Sequence, residues 1–142
     1  MSNPFTVSLV SWHDGHLLLK SIREHVFVME QGVPAELEWD GLDEDARHAL
    51  AISHQGDAIG CGRILPNGHI GRIAVLPQWR KQKVGTAIMQ ALLNYAHIRG
   101  YENVDVDAQT YATPFYRKFE FVERGEVFVD AGLPHIKMAL SL

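Results

Sequence analysis

The sequence predicts a single α/β domain, residues 1–142, with a central mixed sheet of about seven mostly antiparallel strands and helices on both faces. Three strand-like runs lie between residues 48 and 76, and turn signals separate them, which indicates an antiparallel meander. A long helical pattern and another strand follow, and such a unit pairs its strands in parallel through a right-handed crossover. A chain of 142 residues fits one domain.

Before the meander, the chain is predicted to contain one strand and one long helix. Residues 5–12 alternate apolar and polar side chains, as a strand does, and residues 17–29 repeat apolar side chains at helical spacing. Gly32-Val33-Pro34 ends that helix. The acidic segment 36–47, interrupted by Gly41, is expected to be a loop with at most a short helical turn.

The meander is defined mainly by its turns. Gln55-Gly56-Asp57 separates a strand at 49–53 from one at 58–65. Asn67-Gly68 separates the second strand from a third at 69–76, and Asn-Gly between two strand-like runs is the strongest short-range hairpin signal. These residues therefore predict consecutive antiparallel strands.

The second half of the chain is predicted to contain two helices and three strands. The longer helix, residues 80–99, has an apolar stripe at helical spacing and Gly100 at its C-cap, and Pro114 opens the shorter one. In chain order the remaining elements are a strand at 103–108, the short helix at 113–119 and strands at 121–128 and 136–140, joined by a loop with Gly132 and Pro134. The element order is β-α-βββ-α-β-α-ββ.

Composition and charge exclude several classes of protein. The chain has 13 basic and 17 acidic residues and a formal net charge of −4, which argues against nucleic acid as the main partner. Its one cysteine, Cys61, cannot form a disulfide within the chain, and its eight histidines lack a metal-ligand spacing. No apolar run approaches the roughly 20 residues of a membrane span, and the start lacks a signal-peptide layout. We expect a cytoplasmic protein that binds neither a metal ion nor a membrane.

Residues 73–86 are the most informative segment for function. They combine a strand, a proline, a cationic loop and the start of the long helix. Free backbone N–H groups and the helix dipole favour an anion there, and Arg80, Lys81 and Lys83 add positive charge. The alternative is a solvated basic turn. The segment matches neither the P-loop nor the dinucleotide-binding fingerprint.

Two motifs resemble those of the GNAT acyltransferase superfamily. Arg80-x-x-Lys83-x-Gly85 is similar to its acetyl-CoA pyrophosphate loop, usually Gln/Arg-x-x-Gly-x-Gly/Ala, and follows the expected strand. Residues 112–121, ATPFYRKFEF, resemble its second signature of alanine, Phe/Leu-Tyr, Lys and a Gly-Phe pair. Segments 27–31, 40–43 and 132–135 are similar to the ElaA-like subgroup. The resemblance covers nearly the whole chain, including the element order.

The resemblance implies a GNAT-like fold and acetyl-CoA as the donor co-substrate. The pantetheine arm would bond the strand before the loop, and the pyrophosphate would lie on the amides between Gln82 and Thr86. The residues implied to bind CoA are Ile73, Ala74, Val75, Arg80, Lys81, Gln82, Lys83, Val84, Gly85, Thr86, Gln109, Phe115 and Lys118.

Three positions depart from the family pattern. Lys83 replaces the first loop glycine, so its side chain must point away from the phosphates or neutralise them. Gln109 stands where many members have asparagine, and Glu120 stands where the Gly-Phe glycine is usual, which predicts an altered bend. The missing glycine also supports an alternative, a CoA-binding sensor module without turnover.

The resemblance implies acetyl transfer to an amine by direct attack in a ternary complex. Tyr116 matches the tyrosine that protonates the departing thiolate, and a phenol with its usual pKa of about 10 can donate at neutral pH. His69, at the strand position where several members carry an acidic residue, is either the base or a strand-end residue. Glu30 either helps to deprotonate and hold the amine or is a polar helix end. Cys61 is expected to be a small buried residue.

The acceptor is predicted to be a primary amine on a small molecule, a peptide or a protein. The acidic residues between Glu36 and Asp45 would suit a cationic amine or form a solvated loop. Trp39 is a candidate wall of the acceptor pocket, and His135 either faces that pocket or is structural. A homodimer is common in the family and is possible here.

Overall fold

The computed structural model describes residues 4–142. Its seven strands form one sheet in the order β1-β2-β3-β4-β5-β7-β6, and every neighbouring pair is antiparallel except β4 and β5. The strands are β1 (Phe5–Val10), β2 (Arg47–Ser53), β3 (Ala58–Ile64), β4 (His69–Val75), β5 (Asn103–Gln109), β6 (Val122–Asp130) and β7 (Leu133–Ser141). The predicted fold class, with a mixed and mostly antiparallel sheet, is confirmed.

Four α-helices and one π-helical segment accompany the described strands. They are α1 (Trp12–Arg23), the π-helical segment Glu24–Glu30, α2 (Ala35–Glu38), α3 (Val84–Ile98) and α4 (Thr113–Arg117). Helix α1 begins earlier than predicted because the Ser11 side chain accepts a hydrogen bond from the Asp14 amide, which caps the helix. Trp12 therefore belongs to α1 and not to the first strand. The acidic segment contains the short helical turn that the sequence allowed.

The second half differs from its predicted boundaries at two places. Helix α3 begins at Val84, and residues 80–83 form a turn before it. The expected loop between the last two strands is only a turn at Ala131-Gly132, because Pro134 already pairs with Val129 across the β6–β7 hairpin. Proline fits there because it lies next to the turn and keeps its carbonyl as an acceptor.

Helices cover both faces of the sheet. On one face α3 packs closely on β3, where a Cβ added to Gly62 would lie 2.8 Å from Cγ2 of Ile88. Cys61 points to the opposite face, where it packs with Leu19 and Ile22 of α1. It is buried, as predicted, and burial raises the pKa of its thiol to about 12, so the thiol is a poor nucleophile.

Strands β4 and β5 separate along their length. They pair only at His69 and Ile70, and beyond Ile70 the two strands diverge. The cause is a bulge in β4, where Arg72 and Ile73 together oppose Gly62 of β3 and Arg72 has a positive φ of 54°. The extra residue bends β4 away from β5, which opens a cleft between their carboxyl ends.

Helix α4 ends in a Schellman motif. The Glu120 amide donates to the Arg117 carbonyl and the Phe121 amide donates to the Tyr116 carbonyl, while Glu120 has a φ of 73°. The rings of Phe121 and Tyr116 complete the motif at a centroid distance of 5.9 Å. The predicted altered bend is therefore not found, because Glu120 adopts the left-handed conformation that a glycine would adopt there.

Replacing Glu120 by Gly is expected to raise the free energy of unfolding by about 0.5–1 kcal/mol, because a side chain disfavours a left-handed backbone. Lys118→Gly is the control, since Lys118 has a helical φ of −62° and a glycine there is expected to lower stability by about 0.5–1 kcal/mol. Urea denaturation of the three proteins measures both effects. Equal loss of stability in both variants would contradict the assigned cap.

Candidate active site

The cleft between β4 and β5 contains a cavity of about 650 Å³, which we call the donor cavity. Its walls include Ile73, Ala74 and Val75 on β4, together with Phe115 and Tyr116 of α4. Because the pairing with β5 ends at Ile70, the β5-facing edge of this part of β4 is open to a ligand. An extended chain with amide groups can bind such an edge by strand-like hydrogen bonds.

The start of α3 forms the end of the donor cavity. No side chain caps this helix, so the first-turn amides of Val84, Gly85 and Thr86 have no acceptor inside it. Gly85 lines the cavity, and a Cβ added to it would lie 3.6 Å from Phe115, an ordinary contact. An uncapped helix start beside a free strand edge fits an anionic group attached to an extended arm, as acyl-CoA has.

The cationic loop before α3 adopts an unusual backbone conformation. Lys81 and Lys83 have φ values of 63° and 67°, and Lys83 is the N-cap of α3. Lys83 therefore adopts the left-handed conformation that the usual glycine would adopt at this position. Its side chain is exposed, as are those of Lys81 and Gln82.

Arg80 connects this loop to the π-helical segment across the donor cavity. Its guanidinium donates to both carboxylate oxygens of Glu30 at 2.6 Å, and its Nε donates to the Val75 carbonyl at 3.0 Å. The hydrogen bond from Arg80 lowers the pKa of the Glu30 carboxyl. Glu30 is therefore a weak proton acceptor. This geometry favours a role in holding Arg80 over the predicted role in deprotonating the acceptor amine.

Replacing Glu30 by Gln is expected to leave the pH profile of kcat unchanged and to change the KM of the acyl donor by less than about fivefold, since exposed ion pairs contribute little. Glu24→Gln, an exposed carboxylate at the start of the same segment, is the control. Steady-state kinetics between pH 6 and pH 9 measure both parameters. Loss of the acid limb in the Glu30 variant alone would return Glu30 to the role of base.

A second cavity of about 200 Å³, the acceptor cavity, lies on the other side of the cleft. His69, Asp107 and His135 contribute polar groups to it, and Leu37 and Ala131 close it from α2 and from the β6–β7 turn. The residues that line both cavities are Phe27, Gln31, Ile73, Gln109, Tyr116 and Leu133. The two cavities therefore meet at the point where β4 and β5 separate.

Tyr116 lies at this junction. Its ring packs edge-on against Phe115 and Phe121 at centroid distances of 5.2 and 5.9 Å, so two aromatic contacts and the Schellman motif hold it in place. Burial raises the pKa of its phenol to about 12, because the low-dielectric surroundings disfavour the charged phenolate. The hydroxyl therefore keeps its proton at neutral pH.

His69 contacts two aspartates that the sequence analysis did not single out. Its Nδ1 lies 2.5 Å from Oδ1 of Asp105, and its Nε2 lies 3.7 Å from Oδ2 of Asp107. Lys137 of β7 approaches the same two carboxylates at 3.6 and 3.3 Å. The alternation in NVDVDAQ could have revealed both aspartates, because it places them on the face of β5 opposite to the core residues Val104 and Val106.

Gln109, His135 and Lys118 occupy three different environments. The Gln109 side chain donates to Oε1 of Gln31 at 3.3 Å, which bridges β5 and the residue after the π-helical segment. His135 is buried, its Nδ1 lies 2.8 Å from the Leu133 carbonyl, and it lines the acceptor cavity. Lys118 is exposed and lines neither cavity.

The acidic segment is folded over three arginines that the sequence analysis missed. Glu38 contacts Arg23 at 2.8 Å and Asp43 contacts Arg23 at 2.6 Å. Arg63 and Arg72 also bind this segment, through Asp40, Asp43 and Glu38. Partial burial alone would raise the pKa of Asp40, but hydrogen bonds from Arg63 and Leu42 outweigh it and lower the pKa to about 2.

These ion pairs change the predicted role of the acidic segment. Because Glu38, Asp40 and Asp43 are neutralised by arginines, they do not form a negative surface for a cationic amine; Glu36, Glu44 and Asp45 stay exposed. Trp39, the expected pocket wall, instead lies 4.9 Å from the Arg23 guanidinium and lines a separate cleft with Trp12. The reason is that buried arginines attract both the carboxylates and the indole.

Residues 4–142 contain neither a group of side chains suited to a metal ion nor a helix suited to crossing a membrane. In this range no three His, Cys, Asp or Glu side chains are grouped so that they could hold a metal ion. The helices in the same range are too short or too polar to cross a membrane.

Both the sequence and the fold have known relatives. Residues 19–142 match the family described as acetyltransferase (GNAT) domain. The uncharacterized N-acetyltransferase YjcF of Bacillus subtilis (strain 168) is 40% identical over 121 residues, which cover 82% of this chain and 86% of that protein. The crystal structure of Escherichia coli ElaA is similar at a TM-score of 0.84 and 30% identity, covering 94% of this chain and 98% of that chain. An acyl-CoA N-acyltransferase from Pseudomonas aeruginosa has a TM-score of 0.84 and 28% identity, covering 95% and 98%.

Proposed function

Because the chain belongs to the GNAT acetyltransferase family, and within it to the ElaA-like subgroup, we propose that it transfers an acetyl group from acetyl-CoA to a small primary amine. The observation that carries the proposal is the cleft at the Arg72 bulge. It joins the donor cavity to the acceptor cavity, and Tyr116 lies at their junction. Donor and acceptor can therefore meet without a covalent relay on the enzyme.

The donor side binds acetyl-CoA through backbone groups. The pantetheine arm bonds the edge of β4 that β5 leaves unpaired, at Ile73, Ala74 and Val75, through the backbone groups that Arg80 does not already hold. The amides from Gln82 to Thr86 hold the pyrophosphate. When bound, acetyl-CoA supplies a thioester carbon that is open to attack by an amine. Backbone N–H groups on the same edge of β4 polarise the thioester carbonyl.

The proton transfers use His69 and Tyr116. The acceptor ammonium gives one proton to Nε2 of His69, and the neutral amine then forms the C–N bond as the C–S bond breaks. The sulfur takes the phenol proton of Tyr116, and the second proton that leaves the nitrogen restores the phenol. Burial disfavours the thiolate as well as the phenolate, so the raised pKa of Tyr116 does not prevent this transfer. The net products are an amide, a free thiol and one proton.

The shape of the acceptor cavity favours a small molecule over a protein lysine. Its volume is about 200 Å³, and α2 and the β6–β7 turn close two of its sides through Leu37 and Ala131. Asp107 and Asp130 line the cavity, and Asp130 attracts the cationic amine, since Asp107 already pairs with Lys137.

Calorimetric titration with CoA and acetyl-CoA, followed by thiol-release assays over a panel of small amines, tests the proposal. We expect binding of both and thiol release with at least one amine. Tight binding without release on a broad panel would favour a CoA sensor module. Absence of binding would contradict both functions.

Replacing Gly85 by Ala is expected to separate stability from donor binding. Alanine in a helix should raise the free energy of unfolding by about 0.5–1 kcal/mol, and its Cβ meets only ordinary contacts with Phe115. The same methyl group lies on the wall of the donor cavity, so the Kd of acetyl-CoA should increase about tenfold, or 1.4 kcal/mol. Calorimetry and thermal denaturation measure the two effects.

Gln90→Ala, at an exposed position further along α3, is the control for this variant and should leave the Kd unchanged. Wild-type affinity in the Gly85→Ala variant would contradict a pyrophosphate site at the start of α3. A cytoplasmic location and a homodimer both stay predictions.

A further inference from the structure

His69 lies among charged groups on the open face of the sheet. Asp105 and Asp107 of β5 and Lys137 of β7 surround its ring, which is a quarter exposed. The side chains of Val104, Val106 and Ala108 point the other way, into the core beside α3. The other charged or titratable groups that line the acceptor cavity with His69 and Asp107 are Glu38, Arg72, Tyr116, Asp130 and His135.

The two ring nitrogens of His69 have different environments. Nδ1 lies 2.5 Å from a carboxylate oxygen of Asp105, which is a hydrogen-bond distance, so Nδ1 carries the proton and donates it. Nε2 lies 3.7 Å from the Asp107 carboxylate, which is too far for a hydrogen bond. The lone pair of Nε2 is therefore available, and His69 lines the acceptor cavity.

We propose that Asp105 is a positioning residue, which holds His69 in the Nδ1–H tautomer so that Nε2 receives the proton of the acceptor amine. The inference rests on the proposed function and assigns the orientation of its base. The proton moves from the ammonium nitrogen to Nε2, and the resulting imidazolium is stabilised by the Asp105 carboxylate. The imidazolium then gives this proton to solvent, since His69 is partly exposed.

Lys137 completes the arrangement. Partial burial alone would lower the pKa of Lys137, but Asp107 and Asp105 outweigh it and raise the pKa, so the ammonium is retained. Its ammonium lies 3.6 Å from Asp105 and 3.3 Å from Asp107, so it offsets part of the negative charge around His69. Asp107 also lines the acceptor cavity, where it is paired with Lys137.

Nitrogen NMR of histidine-labelled protein tests the tautomer without any need for turnover. The His69 signals are assigned by their loss in His69→Gln. We expect the neutral ring to be Nδ1–H in the wild type and mainly Nε2–H in Asp105→Ala, because free histidine in water favours a proton on Nε2. Glu102→Ala removes an exposed carboxylate just before β5 and is expected to leave the tautomer unchanged.

Kinetics on the same proteins test the consequence for catalysis. In Asp105→Ala we expect kcat and kcat/KM for the amine each to fall about tenfold, with the KM of acetyl-CoA unchanged, because a base in the wrong tautomer affects the proton transfer and not the binding of the donor. Glu102→Ala should match the wild type in all three.

The role of Asp105 and the proposed function can be contradicted independently of each other. An Nε2–H tautomer in the wild type, or the wild-type tautomer in Asp105→Ala, would overturn the role of Asp105 whether or not the protein is active. A wild type that has the expected tautomer but releases no thiol with any amine would overturn the proposed function, and the proton transfer with it.

Discussion

Replacing Tyr116 by Phe is expected to lower kcat about 100-fold, because the departing sulfur loses its proton donor. The Kd of acetyl-CoA should stay within about twofold, since a group that acts in the transition state contributes little to binding of the ground state. The phenylalanine keeps the edge-on ring contacts with Phe115 and Phe121, so the fold around α4 is preserved. Steady-state kinetics and calorimetry on the same preparation measure the two parameters.

Tyr111→Phe is the matched control. Tyr111 also lines the donor cavity, but it is 77% exposed, and it does not reach the acceptor cavity. Its variant should retain the wild-type kcat. An unchanged kcat in Tyr116→Phe would remove Tyr116 from the proton transfer, and an equal fall in both variants would point to a general effect on the cavity wall.

Replacing Arg23 by Met is expected to lower the free energy of unfolding by about 3–5 kcal/mol. Arg23 is 1% exposed and lies between the rings of Trp12 and Trp39, at 5.8 and 4.9 Å. Its loss leaves the buried carboxylates of Glu38 and Asp43 without their shared partner. Urea denaturation measures the change in the free energy of unfolding.

Arg47→Met is the control for the buried arginine. Arg47 also approaches an aromatic ring, that of Tyr95 at 5.9 Å, but its side chain is exposed, so the loss should stay below about 1 kcal/mol. If the free energy of unfolding of Arg23→Met also fell by less than about 1 kcal/mol, the ion pairs on the acidic segment would contribute little to stability.

Much of the fold could be predicted from local patterns. Asn67-Gly68 and the apolar stripe of the long helix identify the meander and the parallel crossover, because turn chemistry and periodicity are local properties. The boundaries were less predictable. The start of α1 depends on the Ser11 cap. The late start of α3 depends on a left-handed backbone at Lys81 and Lys83, and lysine rarely adopts that conformation, so the sequence gives no sign of the turn.

The site was predictable only where it follows a motif. The loop before α3 and Tyr116 carry such motifs, and the structure brings Gly85 and Tyr116 to the same cavity. The bulge at Arg72 carries no local signal, since arginine rarely adopts a positive φ. Its conformation depends on contacts with Glu38 and Asp40, which lie more than 30 residues away in the sequence.

The buried ion pairs were missed for a related reason. Arg23 and Arg63 are placed by the sequence on a helix and on a strand, where arginine is usually exposed. Only the three-dimensional structure brings them under the acidic segment. The acidic segment therefore stabilises the fold, and the cavity-lining carboxylate that remains for the acceptor amine is that of Asp130.

Initial rates of thiol release, with acetyl-CoA and the best amine varied together, test the proposed mechanism most directly. Direct transfer between two joined cavities requires both substrates to be bound at once, so the double-reciprocal plots should intersect. Parallel lines would mean that an acyl group stays on the enzyme between two half-reactions. Such a result would contradict direct transfer at the junction of the two cavities. Tyr116 lies at this junction, whereas the buried Cys61 lines neither cavity.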